Sequence, residues 1–114
     1  MPSAISSAAD AAFAALADPT RRRVLELLRD RGDMTAGTLA GAFPEISRPA
    51  VSKHLRVLRD AGLVTAEQIG REWRYQVDPT LLATIHDDWL ATFIPLFDEG
   101  LGRLKIRVES KRRA

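Results

Sequence analysis

The chain has 114 residues with 46% hydrophobic and 28% charged side chains, and its 17 basic and 15 acidic groups give a formal net charge of +2. This composition is typical of one folded domain, it excludes a disordered chain, and it requires any basic patch to be local. The absence of cysteine excludes disulfides, thiolate metal sites and cysteine nucleophiles. Neither a signal peptide nor a membrane span is predicted at the N-terminus, so we expect a cytoplasmic protein.

The N-terminal part of the chain predicts two helices. Residues 6–16 place apolar side chains at helical spacing, among which Phe13 and Leu16 are the largest. A second helix is expected after Asp18, a residue type that caps helices, because the following Pro19 is well tolerated in a first helical turn. A glycine is expected to end this helix. The aliphatic side chains expected on its inner side are Val24, Leu27 and Leu28.

Two further helices are predicted on either side of a tight connection. Thr35 can cap a short third helix that ends before Pro44, and Ser47 can cap a fourth helix that runs to Ala61. The two helices are joined by a short connection at residues 44–46. The two helices therefore form a helix-turn-helix pattern.

The apolar spacing changes from helical to alternating after residue 62. Residues 63–77 contain two alternating stretches around a charged tip, which is typical of a β-hairpin. The elements together predict a mainly α protein with one small β-hairpin. We expect a single domain over residues 1–108, followed by a flexible basic tail at residues 109–114.

A last helix is predicted over residues 79–108. Asp78 and Pro79 repeat the combination of a cap residue and a first-turn proline. Pro95 is expected to kink or break this helix within residues 94–102. The apolar side chains predicted on one face of it are Leu82, Ile85, Trp89, Phe93 and Leu96.

The fourth helix separates an aliphatic side from a cationic side. At 100° per residue its inner arc is aliphatic, whereas Ser52, Lys53 and Arg56 share the outer side near the N-terminal half. The segment from Arg48 to Arg59 contains four cations and no acid. A plain solvated face is the alternative, but the helix-turn-helix context favours DNA, because phosphates require cations and base edges require short polar groups. The inner arc consists of Val51, Leu55 and Leu58.

Residues 13–79 resemble the ArsR/SmtB family of winged helix-turn-helix repressors, in the stretches FAALADPTRRRVLELLRDRG and MTAGTLAGAFPEISRPAVSKHLRVLRDAGLVTAEQIGREWRYQVDP. The resemblance implies a bacterial homodimer in which the helix at residues 47–61 enters the major groove of double-stranded DNA. It also implies that the hairpin wing at residues 63–77 touches the flanking minor groove or backbone. The DNA-contact candidates that it implies are Ser47, Arg48, Ser52, Lys53, His54, Arg56, Arg71 and Arg74.

Each of these candidates has a structural alternative, which for Lys53 and Arg56 is the solvated face. Ser47 can be a helix cap, a role that still leaves it able to contact DNA. His54 lies at the edge of the apolar stripe, so a partly buried structural histidine is an equal alternative. Arg71 at the hairpin tip can be an ordinary solvated turn residue.

The last helix is too apolar to leave in water, so we expect it to pair with its counterpart in a second chain. A two-fold dimer would place two recognition helices roughly 34 Å apart, one turn of DNA, and would therefore read a palindromic operator. By resemblance, the first helix is the second dimer element. The residues expected at this interface are Phe13, Leu16, Ile85, Trp89 and Phe93.

Metal sensing, which is common in this family, is not expected here. The third helix has no cysteine, and His86 with Asp87 and Asp88 cannot all face one ion, because adjacent helical residues point about 100° apart. The resemblance is closer to the cysteine-free branch, and we expect no cofactor. Enzymatic activity is not expected either, because no nucleophile, phosphate loop or ligand cluster can be assembled. The remaining alternatives are a winged-helix module that binds protein, or a repressor that responds to a metal or small molecule.

Overall fold

The computed structural model describes residues 6–97. The chain folds within that range into five α-helices, three short strands and one 3₁₀ turn, followed by helical residues 94–97, which confirms a mainly α fold with a small β-hairpin. In chain order the elements are α1 (Ser7–Leu16), α2 (Pro19–Arg31), β1 (Met34–Thr35), α3 (Ala36–Gly41), α4 (Arg48–Asp60), β2 (Val64–Ile69), β3 (Glu72–Val77), α5 (Thr80–Asp88) and the 3₁₀ turn (Leu90–Phe93). The predicted tail at residues 109–114 and the predicted helix beyond residue 97 lie outside the described residues.

Side-chain caps fix the start of the first four helices, because each accepts a hydrogen bond from a backbone N–H that has no partner within its helix. The caps predicted at Asp18, Thr35 and Ser47 are confirmed. Asp78 also accepts a hydrogen bond, from the N–H of Thr80 at 3.0 Å, so α5 begins one residue later than predicted. In each of the four caps the side-chain oxygen accepts the backbone N–H of the residue three positions later. The N···O distances are 3.3 Å for Ser6, 3.0 Å for Asp18, 3.1 Å for Thr35 and 3.2 Å for Ser47.

The hairpin belongs to a three-stranded antiparallel sheet with the order β1-β3-β2. β1, which the sequence pattern did not predict, pairs Met34 with Tyr75, and two residues are too few to show an alternating pattern. The hairpin turn consists of Gly70 and Arg71, and the φ of +64° at Gly70 fits a type II′ turn, which takes glycine at its first central position. The wing is therefore a tight hairpin with Arg71 at its tip.

The core lies between the helices and the inner face of the sheet. Phe43, Leu39 and Leu63 are fully buried there together with the predicted inner arc of α4. On α2 the prediction missed Leu25, which is buried, and Leu27 packs against the core while remaining half-buried. The buried side of α2 extends to Leu25 because α2 packs against α1, α4 and β3.

The last predicted helix breaks earlier than expected. The backbone leaves the α conformation at Trp89 (φ −129°, ψ −62°), continues as the 3₁₀ turn and is helical again at residues 94–97. Pro95 therefore lies in the first turn of a resumed helix, where proline is tolerated, and the break comes several residues before it. The break brings the Trp89 ring edge-to-face against Phe13 of α1 and against Phe93, with centroids 5.5 and 5.3 Å apart. Aromatic packing on α1 thus replaces the regular helical face that the spacing predicted. No helix in the described part of the chain is long and apolar enough to cross a membrane.

Candidate DNA-binding surface

The outer side of α4 is held in a fixed orientation by its buried side. Val51, Leu55 and Leu58 are almost completely buried against the rest of the core. Because side chains 100° away point outward, Ser52, Lys53 and Arg56 are exposed, as the sequence pattern predicts. Burial of the aliphatic arc therefore presents a short hydroxyl and two cations on one rigid surface.

The cations on this surface are available to bind an anion. Within residues 6–97, no carboxylate oxygen lies within 4.0 Å of the charged groups of Arg48, Lys53, Arg56 or Arg71. A cation without a nearby carboxylate keeps its full attraction for a phosphate. The surface can therefore bind the backbone of a nucleic acid.

The arginines at the start of α2 have structural partners instead. Arg21 donates from Nε to the carbonyl oxygen of Ala15 at 2.6 Å, and Arg22 donates from Nη1 to that of Leu16 at 2.6 Å. These carbonyls belong to the last turn of α1, which has no further N–H of its own to satisfy them. Two cations of α2 therefore cap the C-terminus of α1.

His54 lies apart from the exposed cations of α4. Its side chain is 21% exposed, and its Nδ1 lies 3.4 Å from Nη1 of Arg21 and 3.9 Å from Oδ2 of Asp18. The Asp18 carboxyl accepts the backbone N–H of Arg21, and this hydrogen bond holds its pKa below the ordinary value, with the nearby charges of Arg21 and His54 acting in the same direction. His54 is thus turned toward the junction of α1 and α2.

Ser47 and Arg48 lie at the start of α4, beside α3. The Oγ of Ser47 is the helix cap, and its hydroxyl hydrogen can still be donated. The Arg48 guanidinium lies against Gly37, where an added Cβ would stand only 2.9 Å from Nη2. Arg48 lines an open groove of about 710 Å³ between α3 and the wing, together with Thr35, Thr38, Arg71 and Arg74.

The two arginines predicted on the wing have different surroundings. Arg71 is exposed at the hairpin tip. Arg74 is half-buried and lies 3.6 Å from a carboxylate oxygen of Asp33 and 3.7 Å from one of Glu72. Its side chain lies on the face of the sheet shared with Thr35 and Glu67, because cross-strand partners point to the same side. Arg74 therefore has two carboxylate partners, whereas Arg71 has none among residues 6–97.

The sequence pattern missed an aromatic residue on the wing. Trp73 is 44% exposed, and the guanidinium carbon of Arg59 lies 5.6 Å from the centroid of its ring. Trp73 alternates with Arg74 along β3 and lies on the inner face of the sheet, which it shares with Tyr75 and Val77. The ring is exposed because the hairpin is long enough to carry its tip, and Trp73 with it, beyond the core.

Three of the five residues predicted for a dimer interface lie on an exposed apolar surface, and the other two pack within the single chain. Phe13 and Phe93 are exposed and Trp89 is half-buried between them. Ile85 is only 6% exposed and belongs to the core of the single chain, and Leu16 packs against that core. We call the exposed surface the apolar ridge; it consists of Phe13, Trp89, Leu90, Phe93 and Ile94.

The acidic cluster at the end of α5 does not gather around a common point. His86 lies with Nδ1 3.0 Å from Oδ1 of its neighbour Asp87, and both side chains are exposed. Among residues 6–97, no three histidine or acidic side chains are close enough to hold one metal ion. The pair is therefore a local contact on the surface of the last turn.

Two curated bacterial proteins are similar to this chain over most of its length. The transcriptional repressor SdpR of Bacillus subtilis is 39% identical over 89 residues, which cover 78% of this chain and 96% of that protein. The HTH-type transcriptional regulator Rv2034 of Mycobacterium tuberculosis is 48% identical over 79 residues, which cover 69% of this chain and 72% of that protein. Both relatives are named as transcriptional regulators.

A domain model and a solved structure agree with these relatives. The family model that matches, over residues 16–67, is described as a helix-turn-helix domain. The crystal structure of an ArsR family transcriptional regulator is similar with a TM-score of 0.69 and 33% identity, over 81% of this chain and 92% of the other. With the cationic outer side of α4 and the hairpin beside it, these similarities lead to one conclusion: the chain belongs to the ArsR family of winged helix-turn-helix, DNA-binding transcriptional regulators.

Proposed function

We propose that this regulator is a homodimeric repressor that binds a palindromic operator, with α4 in the major groove and the wing on the flanking DNA. One observation carries the proposal: the outer side of α4 presents Ser52, Lys53 and Arg56 together, with no carboxylate of residues 6–97 within ion-pair distance of the two cations. Side chains of these types at the N-terminal half of a recognition helix suit base edges and phosphates.

The proposed contacts divide into two kinds. Lys53 and Arg56 are assigned to base edges, because they project from the middle of the exposed side of α4. Arg48 and Arg71, which line the protein groove between α3 and the wing, are assigned to backbone phosphates. Ser47 and Ser52 contribute hydroxyl donors at close range. His54 and Arg74 are assigned weaker roles in binding, because each already has partners within the chain.

The apolar ridge supports the proposed dimer. Aromatic and aliphatic side chains that lie together on a surface are typical of an interface between chains. A two-fold dimer that reads both half-sites requires its two α4 helices to lie about 34 Å apart, one turn of DNA. Such a dimer would work in the cytoplasm, without enzymatic activity, cofactor or metal.

The proposed reading of base edges is tested by substitution on α4. We expect Lys53→Ala and Arg56→Ala each to weaken binding to the DNA upstream of the protein's own gene by about 1 to 3 kcal/mol, and to weaken binding to scrambled DNA less. Fluorescence anisotropy at fixed salt measures both affinities. Arg29→Ala is the matched control, because it removes the same charge from an exposed arginine of α2 that is paired with Asp30.

The outcomes of this experiment separate the alternatives. Equal losses of affinity for both DNAs would show that Lys53 and Arg56 contact phosphates and not base edges. Unchanged affinity in both variants would contradict the proposal. A wild-type protein with no affinity for either duplex would favour a winged-helix module that binds protein. Zinc and a chelator are expected to leave the affinity unchanged, and a change with either would favour a metal-responsive repressor.

A further inference from the structure

Trp73 continues the inner-facing row of the wing beyond the end of the core. It pairs with Gln68, and the next inner-facing pairs are Tyr75 with Ala66 and Val77 with Val64. Val64 is buried and Tyr75 is half-buried, whereas the Trp73 ring is 44% exposed. A large aromatic side chain therefore lies at the surface on the side of the hairpin that faces α4.

Arg59 joins this ring to the recognition helix. It lies in the last turn of α4, its guanidinium carbon is 5.6 Å from the Trp73 centroid, and no carboxylate among residues 6–97 is in ion-pair contact with it. A small cleft of about 230 Å³ lies between α4 and the wing at this point. Its lining residues are Ser52, Arg56, Arg59, Asp60 and Tyr75. The cleft makes the Arg59–Trp73 pair continuous with the exposed side of α4.

The chemistry of the pair matches a phosphodiester. The indole N–H and the guanidinium can only donate hydrogen bonds, whereas the phosphate oxygens of DNA accept hydrogen bonds and carry a negative charge. The flat ring can also pack on the apolar side of a deoxyribose, while a cation held over an aromatic face keeps its outer N–H groups free to donate. Asp60 also lines the cleft, but its carboxylate is not in ion-pair contact with Arg59, so the donors of the pair remain available to a phosphate.

We propose that Arg59 and Trp73 form a second DNA contact, in which Arg59 binds a backbone phosphate and Trp73 packs on the adjoining sugar with its N–H directed to a phosphate oxygen. This inference rests on the proposed function, because it requires α4 to lie in the groove. The contact sets the angle between the recognition helix and the wing on the DNA. It binds backbone and not bases, so it acts on operator and scrambled DNA alike.

Affinity measurements with four variants test the contact. We expect Trp73→Ala and Arg59→Ala each to weaken binding to operator and scrambled DNA by about tenfold, because each removes a charge-assisted or donor contact to phosphate. Arg59→Ala should also reduce the slope of log affinity against log salt by about one. Trp73→Phe keeps a ring without the N–H and should show a smaller loss. Ile69→Ala is the control, because Ile69 is 51% exposed but lies on the opposite face of the same hairpin.

A direct readout separates a DNA contact from a merely structural role. Ethylation-interference mapping should show one phosphate per half-site whose modification blocks the wild type but not Arg59→Ala. Emission of the wild type should change on addition of operator DNA, and that change should be lost in Trp73→Phe, which leaves Trp89 as the remaining tryptophan of the chain. Thermal melting checks that the variants are folded.

The possible failures are distinguishable. If the wild type binds the operator specifically, and Trp73→Ala and Arg59→Ala bind it equally well with the same interference map, the Arg59–Trp73 contact is overturned while the proposed function stands. If the wild type shows no specific complex, the proposed function itself fails. If Trp73→Ala does not fold, Trp73→Phe and Arg59→Ala decide the question.

Discussion

Arg21 and Arg56 carry the same charge, but their neighbours give them different roles. Arg21 donates to carbonyl oxygens of Ala14 and Ala15 and lies beside His54, so its charge is used within the fold. Arg56 is exposed on α4 and lacks a carboxylate partner among residues 6–97. The formal net charge of +2 hides this difference, because partners and not totals determine which cations can bind DNA.

The capping carboxylate of Asp18 gives stability a defined pH dependence. Its pKa is lowered in the folded chain, chiefly by the hydrogen bond from the Arg21 N–H, so the folded state prefers the ionised form. This contribution is fully present above the unfolded pKa and is lost as the pH falls through the lower, folded pKa. We expect Asp18→Asn, which retains a capping side chain, to lose less stability than the wild type when the pH falls below about 4.

Urea unfolding at neutral and acidic pH measures this difference. Asp18→Ala is the companion variant, and it should lose about 1 kcal/mol at neutral pH because the cap itself is removed. Parallel stability profiles for the wild type and Asp18→Asn across the acidic range would show that the carboxylate is not the titrating group.

At the scale of the elements, sequence patterns predicted the recognition helix well. The cap at Ser47, the aliphatic arc and the glycine at residue 62 with φ of +80° are local features, and local features determine α4. The strand β1 was missed because its two residues gain their conformation from pairing with β3, not from their own pattern. The break at Trp89 and the exposed position of Trp73 also depend on packing between distant segments, which spacing alone does not encode.

Substitution of Ser47 separates the cap of α4 from its contact with DNA. Ser47→Ala should lower the free energy of unfolding by about 1 kcal/mol, because the N–H of Ala50 loses its acceptor. Ser47→Asp keeps an acceptor and suits the positive end of the helix, so it should retain the stability. We expect Ser47→Asp nevertheless to weaken DNA binding more than Ser47→Ala, because its carboxylate would meet phosphates. Urea unfolding and anisotropy measure the two effects, and DNA affinity that follows stability across both variants would contradict the separation.

At the scale of the whole molecule, two surfaces differ in their chemistry. The exposed side of α4 and the wing tip are cationic and polar, whereas the apolar ridge is formed by α1 and the segment after α5. The aromatic contacts of Trp89 with Phe13 and Phe93 join those two segments within one chain. A second chain that covered the ridge would remove it from water and double the number of DNA-reading helices.

A charge placed in the apolar ridge tests the dimer. Phe93 is 37% exposed, and Phe93→Asp is expected to shift the protein toward a monomer, because the proposed interface would bury an unpaired carboxylate. Ile69→Asp makes a comparable change on the wing, away from the ridge, and should remain dimeric. Sedimentation equilibrium measures the molecular mass of both variants. A dimeric Phe93→Asp, or a monomeric wild type, would contradict the proposed interface.

Selection of binding sites from a pool of random duplexes tests the central claim most directly, because the pool offers the protein every candidate operator sequence at once. We predict that the wild type enriches an inverted repeat whose half-sites are centred about one helical turn, roughly 10 base pairs, apart. The Lys53→Ala and Arg56→Ala variants should relax the sequence preference at positions within each half-site. Enrichment of no sequence, or of a single half-site without a repeat, would contradict a two-fold dimer that reads DNA through α4.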